Sequence, residues 1–440
     1  MNQPINASQP QTEESKSNWS ILIFSFVFIA LIVAGYFYYV QRKPADNPAP
    51  APAKPITVTA NVQGIAAADN NFGFNLYQQV LTQDKDKNVF ISPASIAMAL
   101  TMAYNGADKE TATAMATTLN LSGLDLTKVN KVNADLMQLL KNNQNAQVNI
   151  ANSMWANKDF QFDVDFVKTN QTSFSAELQT LDFSDAKSAD VINAWVNKQT
   201  NGKIQTIVSN GIPPQTILYL INAVYFKSNW AEQFEKSLTQ DKDFQLADGT
   251  TKKVPTMSQG GSYQYAENND FQAVQLPYKD NKTKMYVFLP SKKSTLAIFQ
   301  NSLTPDNWKK WLTQFKDREG DLQIPKFKTE HEITLNEALK AVGMEIAFDD
   351  MKANFTKMVK VRPDQNVYIA EVLHKTFVQV DETGTEAAAV TSVRMGTTSI
   401  GIDEPTKRFE MIVDRPFFFV IRNEETGLNL FMGSILDPTK

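Results

Sequence analysis

The chain has 440 residues, a formal net charge of −4 and no cysteine. Its 42% hydrophobic content and 28 phenylalanines are enough for a sizeable core. The mixed, slightly acidic charge excludes the basic surface that nucleic acid requires, and the missing cysteines exclude disulfides, thiol chemistry and thiolate metal sites.

Residues 1–16 read as a polar tail. Residues 17–41 carry no charge, and from Ile21 to Val40 the chain reads ILIFSFVFIALIVAGYFYYV. As a helix this apolar run is about 30 Å long, the thickness of a bilayer core, and Tyr36, Tyr38 and Tyr39 suit its interface. A transmembrane helix or uncleaved signal anchor is expected. A cleaved signal peptide competes, although such segments have shorter apolar regions and a small-residue cleavage site. Lys16 precedes the run while Arg42 and Lys43 follow it, a bias toward a cytoplasmic C-terminal body. Residues 42–58 are rich in Pro and Ala, which favours an extended spacer. The folded body is expected over 59–440.

Within the body, the spacing of Phe72, Leu76 and Val80 predicts an amphipathic helix over 70–82. Residues 88–107 begin as a short buried strand, and Pro93 and Ser95 then turn it into a helix ending near Asn105 and Gly106. Further helices are expected over 108–119, 128–142 and 187–200. Strands are expected over 148–159 and over 216–230, the latter buried on both faces. More follow at 252–257, 271–277, 284–289 and 322–327, then a short helix at 333–342. A hairpin of 415–421 and 428–432 closes the chain. Helices early, strands late and no βαβ rhythm indicate an α+β fold. Between the last strands lies VDETGTEAAAVTSVRMGTTSIG, residues 380–401, long, bland and free of Pro.

Catalytic patterns are missing. The only histidines are His331 and His374. There is no GxSxG elbow, P-loop or GxGxxG, and HEITL at His331 lacks the second histidine of a zinc motif. Carboxylates are scattered, and spacing alone leaves a glycosidase pair open. No metal or cofactor is expected.

Several motifs, in order, carry a resemblance. NVFISP with Ser95 and Ile96 opens the first. Asn193, Trp195, Val196 and TNGKI follow at 200–204, then NAVYFK with Trp230. ETGTEAA starts at Glu382, and DRPF and FMG close the set. Over about 70–438 the body resembles the serpins, inhibitors that trap serine proteases by a conformational change. The absence of cysteine suggests a prokaryotic member.

The resemblance implies three β-sheets, eight or nine helices and an exposed reactive loop around 382–404. It implies a suicide-substrate inhibitor, not an enzyme. Glu382, Gly384, Thr385, Glu386, Ala387, Ala388 and Ala389 match the hinge. Ser92, Ser95, Asn222 and His374 match a polar cluster that clamps the central sheet, and Trp230 matches the aromatic where insertion begins. Counting from Glu382 puts the reactive bond at Thr398–Ser399, with Arg394–Met395 the alternative. A small Thr before the bond suits an elastase-like or subtilisin-like serine protease.

The hinge itself fits insertion. Alternation puts Thr385, Ala387, Ala389 and Thr391 on one face of a strand, and none of these small residues is costly to bury. The implied partners are thus a serine protease and, through the N-terminal helix, a membrane. No nucleic acid is expected, and the chain is expected to be a monomer. The inhibitor domain is placed outside the cytoplasm, against the Arg42–Lys43 bias, because acidic residues count little in the charge rule. Secretion after signal cleavage is the alternative.

Overall fold

A computed structural model describes residues 58–440 except 142, 144, 209–210, 214–215, 361–365 and 386–407. Three sheets and, among the described residues, nine α-helices make an α+β fold. The first helix, Ala60–Gln83, starts ten residues before its predicted start. Thr59 caps it by accepting the Val62 amide. Val89–Ile91 is a short buried strand. Ser92 then caps the helix Pro93–Tyr104, with Pro in its first turn, where the missing amide costs nothing.

The central sheet has six strands. In spatial order they are Phe327–Thr334, Glu371–Val380, Gly384–Thr385, Leu218–Asn229, Ala146–Asn157 and Glu177–Leu181. Leu218–Asn229 is buried along nearly its whole length, as its continuous apolar run predicts. One face packs on the main core, where Phe90 stacks on Phe419 and Phe431. The other face carries a second apolar cluster with Ile192 and Val196 of the helix Lys187–Gln199.

A nine-stranded sheet holds the rest of the core, and the two-stranded one pairs Gln161–Phe162 with Val359–Lys360. In the nine-stranded sheet, Thr251–Glu267 is the longest strand, pairing with Gln240–Gln245, Phe271–Pro277 and Lys316–Pro325. The predicted strand 322–327 is in fact two strands. Lys316–Pro325 ends at a proline and Phe327–Thr334 starts in the central sheet, with Lys326 at the crossing. The helix expected over 333–342 starts at Asn336, because the strand before it runs through Thr334, and the helical run continues through a π turn, Lys340–Met344, and a 3-10 turn, Glu345–Phe348. Helices Val164–Phe174, Leu296–Asn301 and Pro305–Leu312 escaped the sequence reading.

The membrane expectation is corrected. Among the described residues no helix is long and apolar enough to cross a membrane. The longest, Ala60–Gln83, is interrupted by polar residues such as Asn70, Asn71 and Gln78, and buries its apolar side in the core. The segment 17–41, on which the expectation rested, lies outside the described residues. The membrane helix, the membrane as partner and the single-pass localisation are therefore withdrawn.

Candidate functional site

The site is the seam between two central strands, Leu218–Asn229 and Glu371–Val380. They pair directly and in parallel from Glu371 opposite Tyr219 to Phe377 opposite Tyr225. Above that point the chain leaves Val380, turns through residues 381–383 and re-enters the sheet as Gly384–Thr385. This two-residue strand is antiparallel to both neighbours. Thr385 faces Val380 on one side and Ser228 on the other, and Gly384 faces Asn229. The seam is closed below and wedged open by one rung at its top.

The wedge is held from all sides. The Trp230 amide donates to the Thr383 carbonyl at 3.0 Å, and the Phe234 amide to the Glu382 carbonyl at 2.9 Å. The Trp230 indole N–H donates to the Asp381 carbonyl at 2.9 Å. The Glu382 carboxylate is buried and accepts from Lys326 Nζ at 2.9 and 3.1 Å and from the Thr239 hydroxyl at 2.8 Å. Burial works to raise its pKa, but these bonds outweigh burial and hold the carboxyl below its ordinary value. Thr385 is fully buried, its hydroxyl 2.6 Å from that of Tyr278. Tyr278 in turn stacks on Trp230 with ring centroids 4.6 Å apart. At Gly384 an added Cβ would stand 2.2 Å from the Ser228 carbonyl oxygen, so only glycine seats there.

Lower on the seam, His374 and Asn222 are partners across it. His374 Nε2 accepts the Ser92 amide at 3.2 Å, so the proton sits on Nδ1 and is donated to Asn222 Oδ1 at 2.5 Å. Burial, with a smaller push from His331, lowers the His374 pKa to about 3 and keeps the ring neutral. The Asn222 amide nitrogen donates to Ser95 Oγ and to Asn152 Oδ1, and Ser92 Oγ donates to the Leu430 carbonyl at 2.7 Å. All of these side chains are buried.

The structure thus gathers Ser92, Ser95, Asn222 and His374 in one network and puts Trp230 beside Glu382, Gly384 and Thr385. Glu386, Ala387, Ala388, Ala389, Arg394, Met395, Thr398 and Ser399 lie outside the described residues. Sequence reading missed Lys326, Tyr278 and Asn152. A lysine isolated between two strand runs was the one available signal for Lys326. Nothing in the spacing marks Tyr278 or Asn152.

Comparison places this geometry. The sequence model of the family described as Serpin (serine protease inhibitor) matches residues 67–438. A serpin-like protein of Thermococcus kodakarensis is 34% identical over 377 residues, 85% of this chain and 86% of that one. The native state of the thermophilic serpin tengpin superposes with a TM-score of 0.78 at 33% identity, over 85% of this chain and 94% of its own. Human thyroxine-binding globulin does so at 0.79 and 27% identity, over 87% and 100%. The chain belongs to the serpin family.

Proposed function

We propose that the protein is an irreversible inhibitor of serine proteases that traps its target through insertion of the reactive loop, residues 382–404, into the seam. The protease hydroxyl attacks the carbonyl of the bait bond, the peptide bond breaks, and an ester to the protease forms. The freed loop then enters between Leu218–Asn229 and Glu371–Val380 as a new strand and carries the protease with it. Displacing catalytic groups by about 1 Å costs roughly a hundredfold in rate, so the ester outlives the encounter. The observation that supports this most is the seated hinge, with Thr385 buried and paired to both flanking strands.

In this reading the bait bond is Thr398–Ser399, with Arg394–Met395 the alternative, and the target is an elastase-like or subtilisin-like enzyme. Trp230 marks the entry, and Ser92, Ser95, Asn222 and His374 clamp the closed seam. The test mixes the protein with trypsin-like, elastase-like and subtilisin-like proteases, separates the products on denaturing gels and sequences the released C-terminal peptide. A denaturant-stable complex is expected, with a new N-terminus at Ser399. Clean cleavage without a complex, for each protease, would overturn the proposal in favour of a non-inhibitory interaction or storage protein.

A further inference from the structure

His331 is not a seam residue, yet it is buried at 3% exposure and both of its ring nitrogens are engaged. It sits on the core side of the edge strand Phe327–Thr334, together with Phe327, Thr329 and Ile333. Nε2 is 2.9 Å from Oδ2 of Asp84, the residue that ends the first helix, and Nδ1 is 3.2 Å from the Phe90 carbonyl oxygen. Asp84 is itself buried, and its Oδ1 accepts from Lys87 Nζ at 2.6 Å. The Phe90 carbonyl has a second donor, the Thr376 hydroxyl, and Thr376 stands opposite His331 on the neighbouring strand.

The proton count decides which of these bonds exist. A carbonyl and an ionised carboxylate only accept, and a neutral imidazole has one N–H. Both contacts are made only when the pair holds an extra proton, on the ring or shared with Asp84 Oδ2. A neutral ring turns its one N–H to the carboxylate, because the bond to an ionised acceptor is the stronger. The Phe90 carbonyl is then left to Thr376 alone.

The charges around the ring come from few elements. On the turn after the first helix, Lys85, Asp86 and Lys87 are exposed and Asp84 is buried. The strand Val89–Ile91 has no titratable side chain. On Glu371–Val380, His374 is neutral, and Lys375 pairs with Glu330 and Glu332, which alternate with Lys328 to the other face. Burial holds the His331 pKa below the ordinary histidine value, with the bonds to Asp84 and Phe90 pulling the other way.

We propose that His331 and Asp84 form a proton-operated tie, which when protonated fastens the edge strand of the central sheet to the end of the first helix and to the Phe90 carbonyl, and which frees that carbonyl when the proton leaves. The tie closes on mild acidification and opens toward neutrality. An unfolded ring takes its proton near 6.5, so acidification costs the fold stability, and Asp84 limits that cost by holding the proton. The inference stands apart from the trapping reading, since no protease or loop enters it.

The test is nuclear magnetic resonance on the full chain with isotope-labelled histidine. Two rings are observed, and His331→Gln removes one set of signals and assigns the other. His374 should stay a neutral Nδ1–H ring from pH 8 to pH 5. His331 should be the Nε2–H tautomer at pH 8 and gain its second N–H with a midpoint below 6.5. Asp84→Asn should lower that midpoint by about one pH unit, a tenfold loss of proton affinity and the scale of a hydrogen bond to a charged group. Lys87→Met removes a nearby cation and should raise it. The gap in melting temperature between the parent and Asp84→Asn should widen from pH 8 to pH 5.

A lone proton on His331 Nδ1 at pH 8 overturns the tie, as does a midpoint that Asp84→Asn leaves unchanged. So does a constant gap in melting temperature, which a merely structural role for Asp84 would give. Should Asp84→Asn fail to fold, the parent spectra decide, and a His331 ring that keeps a single N–H down to the onset of acid unfolding overturns the proposal.

Discussion

Thr385→Arg tests the trapping proposal at its first rung. Thr385 is fully buried, hydrogen-bonded to Tyr278 and paired to both seam strands. An arginine there would bring a charge against the stacked rings of Tyr278 and Trp230. An unpaired buried charge costs about 3–5 kcal/mol. The variant hinge leaves the sheet to hydrate that charge, and re-seating it during insertion restores the cost; at about 1.4 kcal/mol per factor of ten, insertion slows by roughly two to four orders of magnitude. Hydrolysis of the ester then wins, and the variant becomes a substrate. The assay titrates a fixed amount of protease and counts inhibitor molecules consumed per enzyme trapped, with gels to separate complex from cleaved product. Thr385→Val, which loses only the hydroxyl contact at about 1 kcal/mol, should shift that ratio by a few-fold at most. An arginine variant that traps as well as the parent would refute the reasoning.

Three further outcomes follow from the geometry. Glu382→Gln removes the charge that Lys326 and Thr239 hold and should cost about 1–2 kcal/mol at pH 7, the partly exposed Lys326 limiting the loss. Because the Glu382 pKa is lowered in the folded state, its contribution is present above the ordinary carboxyl value and disappears as pH falls through the lowered one. Denaturant titrations from pH 7 downward should show a shallower acid limb in the variant. Gly384→Ala places a methyl against the Ser228 backbone and should unseat the hinge, read as faster nicking by proteases near residue 384. Asp69 is buried with Oδ2 unpartnered, and burial pushes its pKa up to about 8. An unfolded aspartate ionises near 3.8, so stability falls by about 1.4 kcal/mol per pH unit from there to about 8 and then levels. Asp69→Asn should raise the melting temperature at pH 8 and leave it nearly unchanged at pH 4, and equal effects at both would contradict the buried acid.

Long apolar runs were the most legible part of the fold. Leu218–Asn229 declares a doubly covered strand by its continuous hydrophobicity, and Pro93 with Ser95 marks a helix start, which Ser92 caps in the structure. The helices Leu296–Asn301 and Pro305–Leu312 stayed hidden because they are short, with too few turns for a period to stand out, although Thr295 and Thr304 cap them conventionally. The seam was legible only through motif resemblance. Its chemistry depends on residues far apart in sequence, such as Asn222 with Ser95 and Glu382 with Lys326, and no local period marks such pairs. Tyr278 was unreadable for the same reason, since an aromatic after Pro277 looks like any core residue until Thr385 is placed on it.

The register of the seated hinge also says where an advancing strand would arrive. Thr385 faces Ser228 and Val380, so each further residue moves one position down both neighbours. Thr391, six residues on by 391 − 385, falls opposite Asn222 (228 − 6) and His374 (380 − 6), which are now joined to each other. Insertion therefore replaces one parallel ladder by two antiparallel ones and breaks one buried hydrogen bond where a threonine hydroxyl arrives to accept and donate in its place. The neutral His374 makes this exchange cheap, because no charge has to be parted from a partner. Thr385, Ala387, Ala389 and Thr391 alternate onto the core side, so the polar network meets a hydroxyl while its apolar surroundings meet methyl groups. On this reading the closed seam is held by a few specific bonds and is opened by a strand that can satisfy them again.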